Sequence, residues 1–296
     1  MIKLGISSFY HDSAVCIIEN NKVIAAAEEE RFTGVKHDNS FPLNALNWCL
    51  EKADLTLKDI EEVYWYEDPI IKDDRVQKIF GKRPIRTFFL NRKYKKDRKE
   101  NDPAKLLIDL GFRGKINYVS HHRSHANFAY FTSKFKKAAI LTIDGVGEWE
   151  TITISKAVGN DIDKVHTIKF PNSLGMFYST ITTYLGFKPN EGEYKVMGLA
   201  PYGTPSNKFI KKLGKLVITL NENLYVNQEY FTWEYSDKIM FNKKLGELLE
   251  IPPRLPEEDI KQVHKDLALA LQTIYEREFE KLLKLTKSLT NCSYIC

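Results

Sequence analysis

Three of the seven histidines lie within five positions, in the segment VSHHRSHANFAYF at residues 119–131. If this segment forms a helix capped by Ser120, His121 and His125 are four residues apart and project from one face, whereas His122 points elsewhere. Two imidazoles at this spacing can bind one metal ion. The alternative is a capped helical turn in solvent, because isolated HxxxH pairs also occur on ordinary surface helices.

An acidic turn follows the histidines. Asp144, 19 residues after His125, lies in LTIDGVGEWE, where Gly145 and Gly147 let backbone N–H groups approach an anion. Two histidines and one carboxylate are typical of non-haem Fe(II) sites or of sites for a similar divalent ion. We therefore predict a metal site formed by His121, His125 and Asp144.

Both halves of the chain begin with the same order of elements, because each has three short apolar runs separated by turns. A helix and further strands follow the first set, and helical periodicity follows the second. The predicted strands are 2–9, 14–18, 22–30, 62–66, 115–120, 138–144, 151–158 and 164–170. The predicted helices are 42–53, one from Ser173, and a long amphipathic helix over 257–289.

A repeated β-β-β-α-β-α lobe resembles the superfamily of actin, sugar kinases and Hsp70, in which two hairpin turns hold nucleotide phosphates across a cleft. The expected fold is therefore α/β, a duplicated actin-like ATPase fold, with lobe I at 1–134 and lobe II, with a helical insertion, at 135–296. An apolar strand begins at CSYIC (292–296) and goes no further. We therefore expect lobe II to be truncated and the chain to be a fragment.

The composition is that of an ordinary globular protein, with 43% hydrophobic and 28% charged residues and a net charge of +5. We find no apolar run of membrane-spanning length and no signal peptide, so we expect a cytoplasmic protein without a membrane partner. The cysteines are expected to be reduced, mostly buried thiols. They are Cys16, Cys49, Cys292 and Cys296.

A basic stretch from Lys82 to Lys99 holds nine lysines or arginines and one acid, Asp97. Such a stretch could contact phosphates or an acidic partner. No RNA-recognition motif accompanies it. We therefore interpret it as a solvated loop and helix face and do not expect a nucleic-acid partner.

Several longer segments, taken in order, resemble the O-carbamoyltransferases of nodulation-factor, aminoglycoside and cephalosporin biosynthesis. The resemblance covers nearly the whole chain. It is carried by GISSFYHDSAV, EEERFTGVKHDNSFP, SHHRSHA, TIDGVGEW, NSLGMFYS and GFKPNEGEYKVMGLAPYG.

The resemblance implies a reaction in two steps. Carbamoyl phosphate and ATP give carbamoyl-adenylate in a separate C-terminal adenylate-forming domain, and the actin-like domain passes the carbamoyl group to a small-molecule hydroxyl. The family's metal ligands, with Fe(II) as the expected ion, correspond to His121, His125 and Asp144. A further Asp ligand and a Gly-rich nucleotide-binding stretch would follow Cys296. This chain alone is therefore not expected to complete the reaction.

The resemblance also implies roles for residues that the sequence pattern alone would leave as turn or surface residues. His11 and Asp12, in the first hairpin, are suited to deprotonating the acceptor hydroxyl. Their alternative role is ordinary turn chemistry. Lys36 would contact the adenylate or its carbamoyl group, and is otherwise a surface lysine.

A Gly- and Pro-containing segment, EGEYKVMGLAPYG at 191–203, is predicted to be a loop that lines the acceptor side of the cleft through Glu193 and Lys195. Gly145 and Gly147 are predicted to contact the nucleotide. The aromatic side chains before this loop are expected in the core; they are Phe177, Tyr178 and Tyr184.

Two other functions stay open at this level. The first is an ATP-dependent phosphotransferase of the same superfamily, although such kinases usually lack the histidine pair. The second is a fragment that binds metal or nucleotide without catalysis.

Overall fold

The computed structural model describes residues 1–82, 84–236 and 239–296, and this part of the chain divides into two compact units. Unit 1 comprises residues 1–74 and 88–124, and unit 2 comprises 75–87 and 125–296. The predicted lobes at 1–134 and 135–296 stay predictions. Arg83, within the predicted basic stretch, lies outside the described residues.

The sheet of unit 1 begins with the predicted antiparallel meander. β1, β2 and β3 pair in sequence, and β4 and β5 add in parallel on the other side of β1, giving the order β3-β2-β1-β4-β5. The strand predictions of the first half are thus confirmed, except that the first, third and fifth strands each end two residues earlier than predicted. The strands are β1 (Ile2–Ser7), β2 (Ala14–Glu19), β3 (Lys22–Glu28), β4 (Glu62–Trp65) and β5 (Lys115–Tyr118).

The helices of this part of the chain connect these strands. Three of them, α3, α4 and α6, include residues counted with unit 2. The helices are α1 (Glu30–Thr33), α2 (Leu43–Ala53), α3 (Pro69–Gly81), α4 (Pro84–Glu100), α5 (Pro103–Asp109) and α6 (His121–Phe131).

Helix α2 supplies the core of unit 1 because its apolar residues recur at helical spacing. Leu46, Cys49 and Leu50 are buried against the sheet face that carries Leu4 and Ile17. Burying each aliphatic side chain contributes roughly 1.5–3 kcal/mol. The packed helix thus holds the sheet, and with it the turn between β1 and β2.

Unit 2 starts with the second predicted meander, which the structure confirms as the antiparallel order β6-β7-β8. The predicted strand near the last residues pairs in parallel with β6 at Ala139 and Ile295. A second small sheet pairs β9 with β10. The strands are β6 (Lys137–Ile143), β7 (Glu150–Val158), β8 (Asp161–Lys169), β9 (Val217–Leu220) and β10 (Asn223–Val226).

A long helix, α11, packs against α7 to form the main core of unit 2. Phe177, Tyr178 and Tyr184 are buried there, which confirms the prediction for these side chains. The helices are α7 (Leu174–Tyr184), α8 (Glu193–Leu199), α9 (Asn207–Leu213), α10 (Lys243–Leu249) and α11 (Gln262–Thr290), with short 3₁₀ turns at Ala200–Tyr202 and Gln228–Tyr230.

Two predictions about unit 2 are wrong. Segment 191–203 is mainly helical rather than a loop, because Val196 is buried and the Glu193 carboxylate accepts from the Gly192 amide where α8 begins. The long helix starts at Gln262 and not at 257, because Arg254 binds the carbonyl oxygens of Pro256 and Glu258 and holds that segment out of the helix.

The cysteines are free thiols, with Cys49 and Cys292 buried and Cys16 and Cys296 partly exposed. Among the helices of the described ranges, none is long and apolar enough to cross a membrane.

Candidate functional site

The predicted helix of the histidine cluster forms, and α6 starts at His121. His121 and His125 are therefore one turn apart on one helix, as the i, i+4 spacing requires. His121 is buried, whereas 55% of the His125 side chain is exposed. His122 is buried, with its ring centroid 5.7 Å from that of His121. Of this pair, His125 is therefore the exposed imidazole.

Asp144 follows the last residue of β6 and brings its carboxylate to this helix. Its Oδ2 lies 3.3 Å from His125 Nε2, within unit 2. Two ligand atoms about 2.1 Å from one ion, at an angle of about 100°, are about 3.2 Å apart. The spacing of these two atoms therefore fits a shared divalent ion. His121 is counted with unit 1, and its part in the metal site stays a prediction.

The turn that carries Asp144 is held mainly by its own backbone. The Gly145 amide donates to Asp144 Oδ1 at 2.6 Å, and the Gly147 amide donates to the Glu150 carbonyl at 2.8 Å. Asp144 itself donates its amide to the Thr151 carbonyl. Binding of an anion by the two glycine amides, as the sequence predicts, would therefore require them to exchange these partners.

The start of α7 closes on the same turn. Ser173 Oγ accepts from the Met176 amide as the N-cap and lies 2.6 Å from the Gly145 carbonyl oxygen, to which it donates. A Cβ on Gly175 would lie 2.7 Å from backbone atoms of Asp144 and Gly145. Only a glycine lets the helix approach this closely, so α7 fixes the position of the Asp144 backbone.

The first hairpin brings His11 and Asp12 together. His11 Nδ1 lies 2.8 Å from Asp12 Oδ2, and both side chains are nearly half exposed. Asp12 has a left-handed φ of 49°, which Asp tolerates better than most residues. Neighbouring side chains usually diverge, and here the turn directs them to each other.

Asp12 has a second partner that the sequence analysis did not select. His37 Nδ1 lies 2.8 Å from Asp12 Oδ1. Burial raises the pKa of Asp12, but the hydrogen bonds from His37 and His11 outweigh it, so the net pKa lies below the ordinary value. The only sequence signal for His37 is its place beside Lys36 in the segment EEERFTGVKHDNSFP, because a contact between residues 25 apart leaves no periodic pattern.

Two serines flank this hairpin. Ser8 and Ser13 are buried, and their hydroxyl oxygens have no hydrogen-bond partner within the described part of the chain. Lys36, one residue before His37, is exposed. The first hairpin thus gathers several polar groups of unit 1.

Glu193 and Lys195 lie on α8. The Glu193 carboxylate accepts from Ser179 Oγ at 2.5 Å and from the Asn190 amide at 3.0 Å. The Lys195 ammonium lies over the ring of Tyr194. The predicted substrate contacts of Glu193 and Lys195 stay predictions.

The chain matches one protein-family model and several curated proteins along most of its length. A protein-family model described as "Carbamoyltransferase N-terminus" matches residues 2–296. The chain is 38% identical over 285 residues to the uncharacterized protein sll1178 of Synechocystis sp., covering 93% of this chain and 46% of that protein. It is 30% identical over 282 residues to the nodulation protein NolNO of Sinorhizobium fredii, covering 92% of this chain and 38% of that protein.

Among solved structures, the chain is similar to component A of the (R)-2-hydroxyglutaryl-CoA dehydratase of Acidaminococcus fermentans. The identity is 12%, the match covers 94% of this chain and 99% of that chain, and the TM-score is 0.33. The chain spans less than half the length of the two curated relatives above.

Proposed function

This chain belongs to the carbamoyltransferase family, whose N-terminal model matches residues 2–296, and on that premise we propose that it carries the transfer step. In that step a carbamoyl group passes from carbamoyl-adenylate to a hydroxyl group of a small molecule. The family match over the chain is the observation that carries this proposal. Carbamoyl phosphate and ATP are the proposed sources of the adenylate.

The transfer step needs a general base, and we assign this role to the first hairpin. The acceptor oxygen attacks the carbamoyl carbon, the bond from that carbon to the phosphate oxygen breaks, and AMP leaves. The hydroxyl proton goes to Nε2 of His11, which acts as the general base. The support is the pairing of His11 Nδ1 with Asp12 at 2.8 Å, because an ionised carboxylate stabilises the imidazolium that forms.

The second group in the proposal is the metal site. His121, His125 and Asp144 would hold a divalent ion, with Fe(II) the first choice for two imidazoles and a carboxylate. When bound, such an ion supplies positive charge that stabilises a departing phosphate. With these three protein ligands alone, we expect weak binding. Lys36 adds a positive charge, which we assign to the adenylate or its carbamoyl group.

We further propose that the chain has the duplicated actin-like fold with an incomplete second lobe, and that adenylate formation needs a further domain. The greater length of the matched relatives supports this, since the chain covers 46% and 38% of two of them. The 296-residue chain should therefore show no ATP–pyrophosphate exchange that depends on carbamoyl phosphate. Robust exchange would contradict this division of labour.

The proposed function is tested with pre-formed carbamoyl-adenylate and a panel of sugars and aminocyclitols, with products identified by mass spectrometry. A carbamoylated acceptor together with AMP is the expected result. A phosphorylated acceptor formed from ATP would instead support a phosphotransferase. No modified acceptor from any protein form that contains residues 1–296 would overturn the assignment and favour a non-catalytic binding role.

A further inference from the structure

We propose that His37 is a positioning residue for the base: it orients Asp12, and Asp12 in turn orients His11 so that Nε2 carries the lone pair. This inference rests on the proposed role of His11 in carbamoyl transfer. It concerns a different question, namely how the chain selects the nitrogen that accepts the proton.

The hydrogen bonds determine the positions of the ring hydrogens. Asp12 accepts at both oxygens, at 2.8 Å from His11 Nδ1 and at 2.8 Å from His37 Nδ1. An ionised carboxylate can only accept, so both Nδ1 atoms must carry hydrogen. Neutral His11 is therefore the Nδ1–H tautomer, and its basic atom is Nε2.

The backbone around His37 is fixed by contacts on both sides of the hairpin. The Phe9 amide donates to the Asn39 carbonyl at 2.9 Å, and the Ser13 amide donates to the Asp38 carbonyl at 2.8 Å. These two bonds bracket His11 and Asp12 in the sequence. The loop that carries His37 is thus attached to the same turn that carries the base.

Side chains fix the loop further. The His37 amide donates to Glu30 Oε2 at 3.0 Å, and the Asp38 carboxylate accepts from the Ser40 amide and hydroxyl and from Thr33. The hydrogen bonds from Ser40 and Thr33 lower the pKa of Asp38, which keeps it an acceptor. His37 itself has a left-handed φ of 56°, a conformation that surrounding contacts must maintain.

The two imidazoles differ in exposure, and this gives the relay a direction. The His37 side chain is 23% exposed, whereas that of His11 is 48% exposed. His37 Nε2 is buried and has no hydrogen-bond partner within the described ranges, so Asp12 is the partner that its ring engages. The enclosed ring is therefore the support, and the exposed ring is the group that can reach a substrate.

The relay also explains why the proton would remain on His11. The hydrogen bond from His37 lowers the pKa of Asp12, so the carboxylate is less able to take the proton from His11. Asp12 therefore stabilises the His11 imidazolium without becoming protonated. The proton stays available on His11.

A cation is the competing explanation for this cluster. Ligand atoms of Asp12, Glu30 and His37 lie within 4.8 Å of one another. However, His37 Nδ1 lies 2.8 Å from Asp12 Oδ1, which is shorter than the separation of about 3.2 Å expected for two ligand atoms of one ion. The observed distances favour the relay.

The test begins with the tautomer, measured by ¹⁵N–¹H NMR of the imidazoles in the 296-residue chain. His37→Gly removes the donor, and His37→Asn retains one, since the Asn amide can replace Nδ1–H. Both residues tolerate a positive φ. Asn21→Gly, at a left-handed position (φ 64°) in another turn, is the matched control.

We expect the Nδ1–H tautomer of His11 in wild type and in Asn21→Gly, its loss in His37→Gly, and its return in His37→Asn. An unchanged tautomer in His37→Gly overturns the relay. Loss of the His37 Nδ1–H signal on addition of Zn(II) to a His121→Ala/His125→Ala background also overturns it, in favour of a cation site.

The second measurement is transfer from pre-formed carbamoyl-adenylate. His37→Gly should lower kcat by about 10- to 100-fold with little change in KM, the range found for outer hydrogen-bond partners of metal-bound histidines. His37→Asn should recover most of the rate. If the tautomer responds as expected but His11→Ala transfers normally, the relay geometry stands and the proposed base is wrong.

Discussion

The first hairpin and the Asp144 turn carry the two candidate sites, and they are stabilised in different ways. The first hairpin is held through the Asp12 side chain, which accepts from His37 of a distant loop and from His11. The Asp144 turn uses its own amides and the cap of α7.

This difference indicates what each turn specialises in. Side-chain contacts orient a particular ring nitrogen, as general acid–base catalysis requires. Backbone contacts fix the position of a carboxylate, as a metal ligand requires. We therefore expect substitutions in the first hairpin to affect rate more than stability, and substitutions around the Asp144 turn to affect stability and metal binding together.

The largest effect should come from His11→Ala. Loss of a general base lowers the rate about 10²- to 10⁴-fold, so transfer from pre-formed carbamoyl-adenylate should fall by that factor. The melting temperature should barely change, because the side chain is 48% exposed. Transfer within a few-fold of wild type would leave the hairpin with a structural role only.

Next in size is the loss of metal binding in the double variant His121→Ala/His125→Ala. Two of the three ligands are removed, so the affinity for Fe(II), Mn(II) or Zn(II) should fall by more than about 100-fold, beyond the usual cost of losing an outer partner. Isothermal titration measures this, and His11→Ala should bind as wild type does. Equal affinity of the double variant would reject the site.

Gly175→Ala tests whether backbone packing holds the Asp144 turn. The new Cβ would be 2.7 Å from backbone atoms of Asp144 and Gly145. We therefore expect the free energy of unfolding to fall by roughly 1–3 kcal/mol and metal binding to weaken. Gly198→Ala, in α8, is the control, because its Cβ would have nothing within 4 Å. There the higher helix propensity of Ala should raise stability slightly. Equal melting temperatures for the two variants would contradict the packing argument.

The smallest expected effect is a change in the stability of the fold at low pH. The lowered pKa of Asp12 means that its hydrogen bonds stabilise the fold above the unfolded pKa of about 3.9, and that this contribution is lost as the pH falls through the folded pKa. Wild type should therefore be slightly more stable than Asp12→Asn near pH 6. This difference in the free energy of unfolding should disappear below pH ~4. High salt should reduce this difference in stability, since 43% of the Asp12 side chain is exposed. A gap that persists at the lowest pH would mean that the carboxylate charge is not its cause.

Much of the fold follows from the sequence because local periodicity determines it. The meanders are short apolar runs separated by turns, and α7 starts at Leu174, directly after Ser173, whose hydroxyl caps it. The helix over 193–199 was missed because the three glycines and one proline of segment 191–203 indicate a loop, whereas the Glu193 carboxylate and the buried Val196 stabilise the helix. Composition records neither of these contacts.

The candidate sites show the same limit. His121 and His125 are detectable because helical spacing relates them, and His11 beside Asp12 is detectable because the two are adjacent. His37 reaches Asp12 across 25 residues through a left-handed loop, and no spacing rule predicts that contact. Long-range polar contacts of this kind require coordinates.

The bonds from the Phe9 and Ser13 amides to the neighbouring carbonyls of Asn39 and Asp38 make the loop and the hairpin one opening unit. Neither amide can exchange its hydrogen with solvent until the loop lifts, and lifting the loop also separates His37 from Asp12. The two amides should therefore exchange at one common rate. That rate measures how often the proposed base loses its orientation.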